Sequence, residues 1–364
     1  MTFWRYFGWT ILIAIWFLLI WAVQYPIRRK DNLFVRLLLI IVKFLLGVVI
    51  AFEIMVSGSS IMARLGFPLA ALYVVLLGDS VGDVLFLIFG GRRKSSGIKI
   101  QTILCLACTF IYLFYGTVNM QTVTANKFTV ESPKLDREYR FVFAADFHVG
   151  SSQSMKTTEE TIRKIGNENA DFVVLGGDIV DVLTTKEEME TTFSLLGEIA
   201  SPVYFIYGNH DRQKDYIDTF GQSFTVEELE EAIRKNGIII LQDEWVRISD
   251  GLILLGREDY SEPGRKAAQE MPPTPGDAFV LQIDHSPYQT EDIIASKADL
   301  QLSGHSHAGQ LFPLRWVYGW LGYDAYGFYH HGDTELYVSS GVSGWDFPFR
   351  SEAGCHYEVI TLTN

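Results

Sequence analysis

Imidazole, carboxylate and carboxamide side chains recur in tight groups between residues 146 and 307 of the 364-residue chain, with no cysteine among them. Asp146 and His148 stand two residues apart and Asp178 and Asp181 three apart; Asn209, His210 and Asp211 are consecutive. Asp284 adjoins His285, and His305 and His307 flank a serine. Such oxygen and nitrogen donors suit borderline or hard divalent ions such as Mn, Fe or Zn. Seven candidate ligands, Asp146, His148, Asp178, Asn209, His285, His305 and His307, are more than one ion takes while keeping positions open. Two ions about 3.5–4 Å apart, sharing a carboxylate and a hydroxide, would use them all and clamp a phosphoryl group for in-line attack. His330 and His331 lack converging partners and read as structural or surface residues.

The elements that must position these groups are visible in the hydropathy pattern. "RFVFAADFH", "DFVVLGGDIVD", "VYFIYGNHD", "AFVLQIDH" and "DLQLSGHSH" read as five strands, each ending in ligand-type residues. In an open α/β sheet that edge is where ligands bind. Gly176-Gly177, Gly208 and Gly304 sit at the strand exits, where permissive dihedrals let the next side chain turn inward. Amphipathic helices are predicted over 156–168, 186–199 and 225–236, the last opened by a capping box from Thr225 and Glu228. Strands over 335–340 and 356–362 can complete the sheet.

In order, "DFH", "GGDIVD", "GNHD", "DH" and "GHSH" resemble the successive signatures of the calcineurin-like metallophosphoesterase superfamily, across residues 140–364. The tail "LYVSSGVSGWDFPFR" is similar to the membrane-linked bacterial branch of that superfamily. The resemblance implies a four-layer αββα sandwich and hydrolysis of a phosphodiester, phosphomonoester or pyrophosphate by a hydroxide shared between two metals. It assigns Asp146, His148, Asp178 and His307 to one ion, and Asp178 as the bridge with Asn209, His285 and His305 to the other. His210 would contact the phosphate and protonate the leaving oxygen, Asp211 would orient that ring, and Asp181 would stand just outside the ligands, steadying the His148 side or the bridging region. Val182 departs from the arginine many members carry, which leaves Arg212 and Arg257 as candidate phosphate-binding cations.

The front of the chain is a different material. Residues 1–130 carry 12 Lys and Arg against 4 Asp and Glu, and the remainder has a net charge of −21. An acidic remainder argues against nucleic acid as a partner. No obligate protein partner is evident. Cys105, Cys108 and Cys355 make neither a disulfide framework nor a zinc site. Apolar stretches over 7–24, 34–56, 67–90 and 100–120 approach the ~20 residues that a membrane-crossing helix needs. The expected organisation is an all-α four-helix transmembrane bundle over 1–122, a linker over 123–138 and the phosphoesterase domain over 139–364. The first stretch has no small-x-small cleavage site to make it a signal peptide. Cationic runs at 28–30 and 92–94 put the loops holding them in the cytoplasm and the hydrolase domain on the periplasmic or outer face of a bacterial inner membrane. Lys43, Asp79 and Asp83 would fall at matching depth as an intramembrane ion-pair cluster.

Placement near a bilayer puts lipid head groups, envelope polymers and scavenged phosphoesters within reach as substrates, and the aromatic stretch 311–329 reads as a lip that receives a lipid-linked, acyl-bearing substrate or rests on the bilayer surface. Two alternatives stand beside this reading. One is a cytoplasm-facing hydrolase of nucleotide-linked lipid precursors, and the other a transport or signalling subunit whose hydrolase domain gates the helices.

Overall fold

The computed structural model describes residues 107, 111–112, 114–213, 221–271, 276–345 and 348–364. The chain divides into two compact units, Met1–Tyr115 and Gly116–Asn364. The expected fold class is corrected in its first part. Among the described residues no helix is long and apolar enough to cross a membrane, so the four-helix bundle has no support. The longest uninterrupted described piece of those stretches is the helical run 114–120, far short of the ~20 residues a crossing requires. The rest of 7–24, 34–56, 67–90 and 100–120, with Lys43, Asp79 and Asp83, lies outside the described residues.

The second unit is a mixed α/β sandwich. Its first half runs β1 (Val123–Glu131), β2 (Tyr139–Ala144), α1 (Met155–Gly166), β3 (Phe172–Leu175), α2 (Lys186–Gly197), β4 (Val203–Phe205), α3 (Val226–Lys235) and β5 (Ile239–Ile240). The second half runs β6 (Glu244–Arg247), β7 (Leu252–Gly256), β8 (Phe279–Ile283), α4 (Thr290–Ser296), β9 (Leu300–Ser303), α5 (Leu314–Trp320), β10 (Gly327–His331), β11 (Thr334–Val338) and β12 (Cys355–Thr363). Two six-stranded sheets result, ordered β1-β12-β2-β3-β4-β5 and β10-β11-β9-β8-β7-β6. β2 to β5 run parallel, as do β7, β8, β9 and β11. The five strands that deliver ligand-type residues therefore all end in parallel segments.

Alternation explains the layering. On β2, Phe141 and Phe143 enter the core between the sheets with Phe172, Val174, Leu254, Leu281 and Leu302. Val142 and Ala144 face the opposite way, toward Ile162 and Ile165 of α1, Phe193 and Leu196 of α2 and Ile233 of α3. Because both faces are covered, the strand reads as an unbroken apolar run. Both α2 and α3 open with a capping box, Thr185 with Glu188 and Thr225 with Glu228. The stretch 123–138, expected as a linker, carries β1, which pairs with β12 from Val123 to Glu131 as an edge strand. Its sequence "VTANKFTVE" is half exposed, and polar residues hide the strand signal.

One carboxyl is buried between the sheets. Glu358 accepts from Ser339 Oγ at 2.9 and 3.0 Å, and Asn126 Nδ2 donates to the neighbouring Tyr337 hydroxyl at 2.7 Å. Burial pushes Glu358 up to about 8, with nearby Asp146 adding to the rise and the Ser339 hydroxyl opposing it. A carboxyl whose pKa is higher folded than unfolded keeps its proton in the native state while the unfolded chain loses it. Stability therefore falls as pH rises from the ordinary 4.5 to about 8, by at most about 1.4 kcal/mol per pH unit. Glu358→Gln is expected to flatten that decline, raising the melting temperature at pH 8 while leaving it little changed at pH 5; parallel loss in both proteins would contradict it.

Candidate metal centre

The ligand-type residues lie where strands leave the sheets. β2 runs into Asp146 and His148, β3 into Asp178 and Asp181, β4 into Asn209, β8 into His285, and β9 into His305 and His307. Past the sheet edge the exits remain stitched together. Asp146 N donates to Gly177 O and His148 N to Asp178 O, both at 3.0 Å, while Gly304 N reaches His285 O at 3.0 Å. His305 N donates to Asp146 Oδ1 at 2.9 Å, which joins the ends of β2 and β9 across the two sheets.

Two groups of donors gather there. Asp146, His148 and His307 form one, and Asp178, His285 and His305 the other; within each, one donor atom per residue lies within 4.8 Å of the others. Asp178 Oδ2 reaches toward both, at 2.9 Å from His285 Nε2 and 3.7 Å from His148 Nε2. The rings of His148 and His307 have centroids 5.0 Å apart, those of His285 and His305 5.2 Å.

The outer nitrogens of three imidazoles are occupied. His285 Nδ1 meets Gly176 O at 2.9 Å, His307 Nδ1 meets Ser343 O at 3.2 Å, and His148 Nδ1 meets Asp181 Oδ2 at 3.1 Å. Oxygens of these kinds accept, so each Nδ1 carries the proton and, in the neutral ring, Nε2 presents a lone pair inward. The Nε2 atoms of His148 and His285 and the Oδ1 of Asn209 are buried without a hydrogen-bond partner. A neutral His285 would set a lone pair 2.9 Å from a carboxylate oxygen, a repulsion that either a proton or a metal ion removes, and the inward-facing donor set fits two divalent ions.

Electrostatics divide the imidazoles into two kinds. Burial works against the Asp178 carboxylate, but His285, His210 and His148 outweigh it and hold its pKa well below the usual range. Burial also disfavours the His285 cation, yet Asp178 and Asp146 lift its pKa well above the ordinary value. His305 is pushed down to about 3 by burial and the charge of His285, and burial with His148 and Arg350 lowers His307 well below its normal range. His305 and His307 are thereby held in the neutral form that ligates, whereas His285 holds a proton against Asp178 that a bound metal ion would displace.

The backbone is strained at the same positions. Asp146, His148, Asp178, His305 and His307 have φ of 58°, 42°, 53°, 68° and 49°. Left-handed geometry costs a non-glycine residue about 1–2 kcal/mol, and it clusters where function over-determines the path. Sequence patterns carry no trace of this strain.

Two glycines permit the approach of the exits. A Cβ on Gly177 (φ 89°) would stand 2.6 Å from Gly208 N, and one on Gly208 would stand 2.6 Å from Asp178 N. Gly208→Ala is expected to cost about 1–3 kcal/mol of stability and to move Asp178, measured as a lower melting temperature together with weaker metal uptake. Unchanged uptake would show that the contact yields cheaply.

Other sequence-predicted residues lie at or beside the centre. His210 is half-buried; its N–H donates to Asp178 Oδ1 at 2.8 Å and its ring centroid lies 5.2 Å from that of His148. Asp211 was expected to orient His210, but its two oxygens accept from the backbone N–H groups of Asp178, Ile179, Val180 and Gly208 at 2.7–3.1 Å. It braces the β3 exit to the β4 exit instead. Burial and the charge of Asp178 push it up to about 7, against the pull of its backbone donors.

The two arginines do not serve the expected role. Arg257 is fully buried and pairs with Asp243 at 2.8 Å and Lys266 O at 2.6 Å, so it has no surface to offer a phosphate. Arg212 is buried over the Tyr207 ring and paired with Glu258 at 2.8 Å. Two residues that sequence reasoning missed hold the centre from behind. Arg350 donates to His307 O at 2.6 Å and Ser343 O at 2.9 Å, and Gln310 bridges Trp345 and Phe349. The motif-like tail "LYVSSGVSGWDFPFR", which ends at Arg350, was the available signal.

Comparison with known proteins agrees with this geometry. The calcineurin-like phosphoesterase family matches residues 139–309. An uncharacterized metallophosphoesterase of Helicobacter pylori is 28% identical over 288 residues, covering 74% of this chain and 72% of that protein. One from Campylobacter jejuni is 24% identical over 323 residues, covering 83% and 81%. A Danio rerio protein named as a transmembrane protein with metallophosphoesterase domain is 25% identical over 284 residues, covering 74% and 64%. The chain thus carries a calcineurin-like metallophosphoesterase domain, that of a metal-dependent phosphoester hydrolase.

Proposed function

We propose that this domain hydrolyses its phosphoester at a dinuclear centre, with Asp146, His148, Asp178 and His307 holding one divalent ion and Asp178, Asn209, His285 and His305 the other. The observation that carries this reading is Asp178 Oδ2 facing His148 Nε2 and His285 Nε2, which belong to different donor groups. Such ions lower the pKa of a bound water and neutralise charge on the phosphoryl oxygens. The chain's own residues supply the rest. Asp181, Gly176 O and Ser343 O fix the ring orientations of His148, His285 and His307. His210, beside Asp178 at the half-buried edge, protonates the departing oxygen. Asp211 fixes the distance between the exits that bear Asp178 and His210.

The same proposal places the enzyme at a membrane with its site outside the cytoplasm, acting on a lipid-linked phosphoester. What supports this is the apolar, basic front of the chain, its cationic runs at 28–30 and 92–94, and the name of the Danio rerio relative. The test of the chemistry is metal analysis of the purified full chain, with hydrolysis of bis(p-nitrophenyl) phosphate before and after chelation and Mn replacement. Activity that survives complete metal removal would refute it. A C-terminal alkaline phosphatase fusion, active only when exported, tests the orientation; a silent but stable fusion would reverse it.

A further inference from the structure

Among the described residues, large apolar side chains stand exposed on the surface beside the centre. Trp320 is 87% exposed, Trp316 64% and Leu321 60%, with Phe312 adjoining them. Trp316 and Trp320 are four residues apart on α5 and share a face. The Phe312 ring packs edge-on against Trp316 at 5.5 Å. Scattered exposed apolar residues are ordinary, but a contiguous aromatic patch marks an interaction surface. Tryptophan in particular settles at the boundary between lipid and water.

Two features of the fold say what that surface meets. The first is its continuity with the centre. Ring contacts run from Tyr318 of α5 to Tyr323 at 6.5 Å, to Tyr288 at 5.3 Å and to the candidate ligand His305 at 5.5 Å, with Tyr260 on another side of His305 at 5.9 Å. The second is where the chain joins this unit. Gly116, its first residue, accepts from Arg350 N at 3.0 Å. The adjacent Ser351 accepts from Phe312 N at 3.0 Å and donates its own N–H to Gln310 O at 2.9 Å. Gly116 is thus linked through Arg350 and Ser351 to the backbone of Phe312, and the stretch that precedes it in sequence is apolar and basic. Apolar and basic sequence is what anionic lipid attracts.

We infer that Phe312, Trp316, Trp320 and Leu321 seat on a lipid surface, and that the centre takes a phosphoester whose lipid tail remains in that surface while the tyrosines flank its head group. This rests on the phosphoesterase reading with its lipid-linked substrate, and adds the surface that presents that substrate to the centre. The lip orients the centre toward esters embedded in lipid and does not touch the reacting atoms.

The test uses the full chain in phosphatidylcholine–phosphatidylglycerol vesicles and two chromogenic diesters, bis(p-nitrophenyl) phosphate and hexadecyl p-nitrophenyl phosphate carried in the vesicles. In the Trp316→Ala/Trp320→Ala variant, kcat/KM for the vesicle-borne ester is expected to fall about tenfold or more, since two apolar anchors are lost. Hydrolysis of the soluble ester is expected to stay within about twofold, because the reacting groups are untouched. Equal losses on both esters, or no loss on either, overturn the inference. So does a variant that changes oligomeric state with unchanged vesicle-ester hydrolysis, which assigns the lip to a second copy. If the double variant does not fold, Leu321→Glu carries the same comparison. Absence of soluble-ester hydrolysis in the wild type instead defeats the phosphoesterase reading, so the two failures are distinguishable.

Discussion

Asp178→Asn is expected to lower turnover about 10³-fold, the scale of several kcal/mol lost when a metal centre ceases to stabilise transition-state charge. The substitution is close to isosteric, and the carboxamide oxygen can keep the 2.8 Å bond from His210 N. Only the charge and the second acceptor are lost. In place of Oδ2 the variant offers an NH₂ group to His285 Nε2 and His148 Nε2, the two lone pairs that the wild-type carboxylate faces. A donor would then satisfy positions meant for cations. Metal content of the purified chain should drop from about two ions toward one or none, as expected of a shared ligand, with the melting temperature of the metal-free protein preserved. Retention of both ions with activity within about tenfold of wild type would remove Asp178 from the bridging role.

His210→Ala carries the second large effect. A positioned general acid contributes about 10²–10⁴-fold. His210 can act as one because its backbone N–H is fixed on Asp178 and its half-buried ring stands beside those of His148 and Trp345. The loss should depend on the leaving group. An alkyl phosphodiester needs its departing oxygen protonated and should lose about the full factor. A p-nitrophenyl ester releases a stable anion and should lose about tenfold or less on the same argument. Plotting log kcat against leaving-group pKa for both proteins gives a steeper slope in the variant. Identical slopes would leave His210 only the contact with phosphate.

How much could be read in the sequence follows from which signals are local. The ends of β2, β3, β4, β8 and β9 were legible because short, largely apolar runs stop at a ligand-type side chain, with glycine before it in β3, β4 and β9, all within about ten residues. Helices α1, α2 and α3 were legible by their 3.6-residue period, and the Thr225–Glu228 cap by its three-residue spacing. What escaped was long-range or sterically encoded. Nothing near Asp211 says that its oxygens serve four backbone donors from two different strand exits. Arg257 looked available for phosphate because Asp243, its partner, is fourteen residues away and falls beside it only once β6 and β7 pair. β1 hid as a linker because an edge strand exposes half its side chains to water. The apolar stretches at the front were plain in composition, but a hydropathy pattern does not by itself fold a bundle.

The five left-handed residues have a bearing on engineering. Donor atoms reach their places here because the polypeptide bends in a way most side chains resist. Copying the seven donors onto another parallel sheet would therefore reproduce the letters and not the cavity, unless the turns were transplanted with them. Selection for heat resistance would favour replacements that let those turns relax, and each such gain would erode the very curvature on which catalysis depends.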